Sequence, residues 1–507
     1  MRSLASLSLV VGITVAACSS ASSNVDAPAA PIPGADASTG TGPSTPQAEA
    51  GAVEGGPFAV QPDDGEGLVN ESSDLDQLLE RGTLATACAR YAAGARDRRS
   101  TLLCGKAMFF DEGFGTVGVP KPIVTFLIEN FPNEIGPGFE KLGMIPDPRS
   151  ADHLPLGMTP GKKFGNVDTL AFSCASCHAG KLPDGRYAVG APNHAYDYAL
   201  QNLALAVLPL AALKGDAPSH DAQAIARLKP MLDRLNGDLF LKGKLIAAVA
   251  PLATAGTAPS FPVQAEGYYA QWKSGTMDFF IEPLPFNDGV HTVSKISALW
   301  GIPRQKEMMG AGMHGAMLGW TGSTASVENF AAAFVDLGGG DLSQWPSEKL
   351  HPLVEYIYSL RAPKAPPVAS EADVGRGATL FRDRGCVSCH GGPRGSGLRV
   401  YTYEEIGTDA EMAKWADENL DGTPDHGLRF PAGDKLTHGI KSPRLVGLWA
   451  MSRFLHNGSV DTLDDLFCAK GPRGDIQKLA FGNGGHTYGC DFSADEKKAV
   501  ISFLRSH

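Results

Sequence analysis

The pentapeptide Cys-x-x-Cys-His occurs twice in this chain, as CASCH at 174–178 and as CVSCH at 386–390. On a helical turn, residues i, i+3 and i+4 share one face, so in each copy two thiols and an imidazole point the same way. That arrangement lets both thiols form thioethers to one porphyrin while the adjacent His reaches its iron. Cys174, Cys177, Cys386 and Cys389 are therefore read as attachment residues, and His178 and His390 as proximal iron ligands, for two covalently bound c-type haems. A zinc half-site or a redox Cys-x-x-Cys pair would leave the His after each pair without a role.

Residues 1–17 hold one early cation, Arg2, an apolar run from Leu4 to Val15, and Val-Ala-Ala just before Cys18. They read as an export signal, too short to span a bilayer as an anchor. The ending resembles a bacterial lipobox, which implies a lipid on Cys18, attachment to a cell-envelope membrane and, with Ser19 rather than Asp following, an outer-membrane location facing periplasm or surface. Residues 18–72 are rich in Ala, Ser, Pro, Gly and acid, without a Lys or Arg, and are expected to form a disordered tether. Signal and tether together account for −7 of the formal −11, which leaves the body nearly neutral. No basic patch with interleaved aromatics points to nucleic acid as a partner.

Four cysteines remain: Cys88, Cys104, Cys468 and Cys490. Export places them where disulfides persist, and Cys88 with Cys104 and Cys468 with Cys490 would close small loops; buried free thiols are the alternative.

The body is expected to be mostly α, with two cytochrome c-like units in tandem: an N-terminal haem domain over 73–365, with insertions, and a C-terminal cytochrome c domain over 366–507. The Pro-rich stretch Arg361–Ser370 marks the break. Val374, Ala378, Leu380 and Phe381 give a short amphipathic helix leading into Cys386, and Ser493 with Glu496 forms a capping-box signature for a last helix with Val500, Phe503 and Leu504 on its apolar face. Gly105-Lys-Ala-Met-Phe109 echoes Gly377-Ala-Thr-Leu-Phe381, and Leu350, Leu353, Val354, Ile357 and Leu360 form a further helical stripe. Of the two insertions, 110–172 is rich in Gly and Pro and reads as loop. The other, between His194 and His291, has apolar stretches at Leu203–Leu213 and Leu245–Leu252, read as core helices or, more sharply, as the wall of an apolar substrate channel.

Downstream of the second motif, Lys441-Ser-Pro-Arg-Leu445, Phe454-Leu-His-Asn-Gly-Ser459 and Thr462-Leu463 resemble the signature of the bacterial di-haem cytochrome c peroxidase superfamily. Trp320-Thr-Gly-Ser with Val327-Glu328 is similar to that superfamily's tryptophan-glycine element. The resemblance implies an oxidoreductase that reacts with peroxide or dioxygen at one haem and relays electrons through the other, served by a small cytochrome or similar donor. One departure bears on ligation: where such peroxidases place a Met about fourteen residues beyond the His of the His-Asx-Gly element, this chain has Lys470. Asn483-Gly-Gly-His-Thr-Tyr-Gly489 looks like a late segment of the rubber-oxygenase branch, in which the second haem has two His ligands. His486 is accordingly the expected distal ligand of the second haem, with His456 as runner-up.

For the first haem the distal candidates stay open among His194, His291, His314, Met308, Met309, Met313 and Met317. Pro192, in a loop resembling one of cytochromes c, is the expected carbonyl partner of His178; Trp300 or Trp320 is the expected aromatic between the haems; Glu328 and Glu307 are the nearest acids for proton transfer. A dioxygenase cleaving an apolar alkene and a pure electron carrier are the alternative functions.

Overall fold

A single helix crossing organises the molecule, and it occurs twice. The computed structural model describes residues 65–214, 222–254, 270–277, 292–313, 317–367, 370–425 and 430–507. The signal peptide, Cys18, most of the tether, His291 and His314 lie outside them. The chain is predominantly helical, with strands of two to four residues. Its longer helices are α1 (Arg98–Asp111), α2 (Tyr198–Lys214), α3 (Ala222–Gly237), α4 (Leu239–Thr254), α5 (Val327–Leu337), α6 (Ser347–Ser359), α7 (Glu371–Asp383) and α8 (Ala494–Arg505). Among the described residues, no helix is long and apolar enough to cross a membrane.

Helix α1 packs on α6, and α7 on α8, each through a glycine. A Cβ on Gly105 would lie 2.0 Å from the Pro352 carbonyl oxygen, and one on Gly377 would lie 2.1 Å from that of Ala499. One turn on from each glycine a phenylalanine seals the crossing: Phe109 meets Tyr356 at 5.7 Å between ring centroids, and Phe381 meets Phe503 at 5.5 Å. The echo between the two Gly-x-x-x-Phe segments is thus a repeated packing solution, in which the missing side chain lets two backbones touch. The expected capping box of α8 is present, Ser493 and Glu496 each bonding the other's backbone N–H. At α7 the cap runs one way only, the Ser370 hydroxyl accepting from the Asp373 amide.

Two expectations need correcting, and one pair of alternatives is decided. Order begins ahead of residue 73: Glu71–Ser72 pairs antiparallel with Tyr187–Val189, and Asn70 accepts a hydrogen bond of 2.7 Å from the Tyr356 hydroxyl. The stretch 110–172 is more than loop, since it holds the helix Lys121–Asn130 and a three-stranded sheet of Val119–Pro120, Thr169–Phe172 and Met158–Pro160. Pro120 and Pro122 start that helix instead of breaking it, because its first turn needs no amide donor, and Ile123, Val124, Phe126 and Leu127 bury one face. The apolar stretches of the second insertion are core helices: α2, α3 and α4 pack on one another around Leu203, Val207, Leu228, Leu235 and Leu245. Of their residues only Tyr198 reaches the central cavity, so they form no channel wall.

Both expected disulfides are formed, Cys88–Cys104 and Cys468–Cys490. Segment 361–367 carries no helix or strand, as its prolines require, yet the parts before and after it interlock. Arg394 donates from Nε to the Gly301 carbonyl at 2.9 Å and pairs with Glu307, and the Ala325 amide donates to Asp434 at 2.7 Å.

The crossings give a paired test. Gly105→Ala forces a methyl into the α6 backbone and should destabilise by about 1–3 kcal/mol or more. Gly375→Ala, in α7 with open space around it, should stabilise by about 0.5–1 kcal/mol. Denaturant melts of the two variants should therefore move in opposite directions.

Candidate di-haem centre

Both Cys-x-x-Cys-His turns open onto the same cavity, of about 1290 Å³. A pocket for one small ligand spans roughly 300–1,000 Å³, so this space suits more than one. Cys174, Cys177 and His178 line it together with Cys386, Cys389 and His390, and so do His456 and His486. Aromatic and aliphatic side chains such as Phe172, Phe334, Leu353 and Ile357 supply much of the remaining wall.

The first turn, Cys174–His178, is a one-turn helix capped by Ser173, whose hydroxyl also donates to the Phe110 carbonyl at 2.9 Å and so fastens the motif to the end of α1. Strand Ala179–Lys181 follows at once and pairs with Tyr187–Val189. The second turn follows α7 directly. Gly385, at φ +80, makes the bend that a side chain would strain, and the Cys386 amide donates back to the Phe381 carbonyl at 3.0 Å.

His390 is oriented for ligation. Its Nδ1 donates to the Gly395 carbonyl at 2.7 Å, and because a carbonyl only accepts, the proton sits on Nδ1 and the Nε2 lone pair is left for a metal. His486 faces it, the two ring centroids 6.3 Å apart. Two metal–imidazole bonds of about 2.0 Å end to end span about 4 Å, and about 2.3 Å remains for the two ring half-widths. That separation equals the ring spacing of two imidazoles that share one metal ion. His486 stands at φ +45 on a tight loop, its amide bonded to the Ile406 carbonyl at 3.1 Å, and the Cys468–Cys490 disulfide closes that loop four residues later. His456 lines the same cavity with its ring 6.0 Å from that of Tyr403.

Burial pushes His178 and His390 down to about 4 and His456 to about 3, and it lowers His486 as well. All four are neutral at pH 7, the form that binds a metal. Burial likewise pushes the Cys174 thiol up to about 12 and that of Cys177 to about 11. Among the described residues, no group of three or more His, Cys, Asp or Glu could hold a bare metal ion. A haem iron brings its equatorial ligands with it and asks the protein only for axial ones, which is what these paired and single imidazoles offer.

Other expectations shift. The backbone group acting on His178 is Ser297, while the Pro192 carbonyl accepts from the His194 amide at 2.9 Å. His194 is occupied at both nitrogens: Nε2 donates to the Ile296 carbonyl at 3.0 Å and Nδ1 accepts from the Ser452 amide at 3.2 Å. It is a buried strut between the two parts of the chain and no ligand. Met308, Met313 and Met317 are packed in the core and Met309 is exposed; among the described residues the methionines at the cavity are Met277 and Met451. Trp300 is fully buried away from the cavity lining, its indole N–H on the Val189 carbonyl at 2.8 Å. Trp320 does line the cavity and shares a hydrophobic cluster with Cys389, while its Nε1 donates to the Lys295 carbonyl at 3.4 Å. Neither acid reaches the cavity: Glu307 pairs with Arg394, and Glu328 accepts from the Tyr358 hydroxyl at 3.2 Å.

Three cations in the cavity wall were not foreseen as a group. Lys441 is buried and Lys295 and Arg444 are half-buried, and the loss of solvent pushes Lys295, Lys441 and Arg444 down to about 8, 7 and 10. Lys295 donates to the Arg453 carbonyl at 2.9 Å and stands over the rings of Trp320 and Phe454. Their spacing in sequence carries no signal, since nothing local marks a lysine that will be buried.

No family model matches the chain, and no curated protein does. Among solved structures, hydrazine synthase of Kuenenia stuttgartiensis, pressurised with 20 bar xenon, shares 16% identity over 47% of this chain and 79% of that one, at a TM-score of 0.27. A superposition that loose establishes neither fold nor function.

Acid should destabilise the protein through these histidines. His178, His194, His390 and His456 have native values of about 4, 3, 4 and 3, below the unfolded value of about 6.5. Between about pH 6.5 and 4 the unfolded chain binds protons that the native chain refuses, so stability is full above that window and falls with pH by up to about 1.4 kcal/mol per unit per group. Melting temperatures followed by circular dichroism should drop steadily from pH 7 to 5; a constant value would contradict the burial of neutral imidazoles.

Proposed function

We propose that this chain is a di-haem c-type oxidoreductase, reacting with peroxide or dioxygen at the Cys174–His178 haem and relaying electrons through the Cys386–His390 haem. The observation that carries this reading is the convergence of both attachment turns on one cavity, with His486 set opposite His390 at 6.3 Å. The cavity residues fit the group: four thiols placed for thioethers, neutral imidazoles, apolar walls for the macrocycles and cations for their carboxylates.

When bound, the haems supply the electron exchange with a small oxidant. Cys174 and Cys177 fix one of them and Cys386 and Cys389 the other, while His178 and His390 act as proximal ligands. Gly395 keeps the His390 proton on Nδ1, which holds the ring basic and correctly turned. His486, held by its closed loop opposite His390, would serve as the second iron ligand there, which would suit that haem to electron relay over substrate binding. Trp320 lies between the Cys389 cluster and the Lys295–Ser297 segment beside His178, which suits it to the role of intervening aromatic.

The body is an exported, lipid-anchored envelope protein in this reading, with residues 73–365 and 366–507 as tandem haem units and a small cytochrome as electron donor. The twin glycine crossings support the tandem arrangement. The alkene dioxygenase stays as a second reading because so much of the cavity wall is apolar.

Mass spectrometry of the matured protein should show the added mass of two haems, and its absence would end this proposal. Electron paramagnetic resonance should show one low-spin iron and one high-spin or exchangeable iron; two low-spin irons in every redox state would make the protein a carrier. Replacing His486 by Ala should turn the low-spin signal high-spin, whereas an unchanged spectrum would transfer ligation to His456. Peroxide turnover with a reduced cytochrome, set against dioxygen uptake on an alkene, separates the two enzymes.

A further inference from the structure

Lys441 and Arg444 sit three residues apart on a segment that touches both halves of the candidate centre. Pro443, between them, is a backbone group acting on His390. Arg444 reaches the other side: its Nε donates to the Trp300 carbonyl at 3.0 Å and its Nη2 to the Ala298 carbonyl at 2.8 Å, next to Ser297, the backbone neighbour of His178. Lys441 also belongs to both sides, its amide on the Trp320 carbonyl at 2.7 Å and its charge felt at His390.

Both side chains line the cavity wall, Lys441 buried and Arg444 half-buried, and the partners that hold them are backbone carbonyls; the Lys441 ammonium has the Ser442 carbonyl at 3.2 Å. Among the described residues neither forms an ion pair with a carboxylate, and they repel one another besides. A carbonyl dipole does not neutralise a buried charge, whose effective desolvation penalty is several kcal/mol per ion. Lys441, at about 7, can shed its charge whereas Arg444 keeps its own, so an anion bound from the cavity side would hold both cations charged, a part that a neutral peroxide or dioxygen cannot play. The porphyrin propionates are the anions that the di-haem reading brings to this wall.

We propose that Lys441 and Arg444 form a cationic bridge that binds propionate carboxylates where the two haems approach each other, fixing the macrocycles and favouring the reduced state of the His390-side iron. The inference rests on the di-haem reading and deepens it. Positive charge held near an iron opposes its oxidation, so taking one charge away favours the ferric state.

The test uses full-length matured protein: wild type, Lys441→Gln, Lys441→Arg and Arg444→Gln, each with haem counted by mass and midpoint potentials taken by spectroelectrochemistry. Expected are two haems in every variant, a midpoint shifted downward at the low-spin haem in Lys441→Gln, a downward shift in Arg444→Gln, and no shift in Lys441→Arg. Two haems with unchanged midpoints in Lys441→Gln and Arg444→Gln would overturn the bridge while leaving the di-haem reading intact; a wild type without haem would overturn both. Should the variants not mature, the wild type decides. A bound carboxylate would keep Lys441 protonated, and Lys441 and Arg444 would keep the carboxylate ionised, so neither side of the bridge takes up a proton on reduction; the low-spin midpoint should stay flat from about pH 5.5 to 7.5, and a slope near 59 mV per pH unit, one proton per electron, would refute the bridge.

Discussion

A cavity of about 1290 Å³ with largely apolar walls is the feature that the rest of this structure must accommodate. Apolar wall left facing such a space forfeits the packing contacts that a close-packed core supplies, so a flat apolar group seated there adds to stability as well as to function. Cations and neutral imidazoles on the same wall add polar groups that need partners. Apolar area, fixed anions and a metal that accepts imidazole satisfy these demands together, and a c-type haem combines all three.

The scaffold answers the same demand by bringing two remote pieces of chain to one place. Each attachment turn hangs from a helix whose glycine lies flush against a partner helix, so the motif is held by backbone contact and not by long side chains. The ties between the parts, from His194 to Ser452 and from Arg394 to Gly301, are buried hydrogen bonds to backbone. Such bonds fix register more firmly than surface ion pairs of the kind Lys273 makes with Asp461.

Much of this was legible in the sequence where the signal is local. The two Cys-x-x-Cys-His helical turns, the Ser493–Glu496 cap, the helices around Leu203 and Leu245 and the two disulfides belong to short stretches of chain, and the structure has them. What was lost is what depends on distant chain. The helix Lys121–Asn130 was hidden because its prolines look like breakers unless one knows that they occupy its first turn. His194 looked like a ligand because only the fold brings Ser452 and Ile296 to its two nitrogens. Lys441 and Arg444 stood in view in the Lys441–Leu445 segment, yet nothing in their neighbours announces that both would line the cavity without a carboxylate partner.

The twin helix crossings differ in one respect that reaches beyond the native state. Gly105 and Pro352 are roughly 250 residues apart and Gly377 and Ala499 roughly 120, so closing the first contact carries about 0.6 kcal/mol more chain entropy, the amount for one doubling of loop length. Assembly is thereby biased to begin at the carboxyl end.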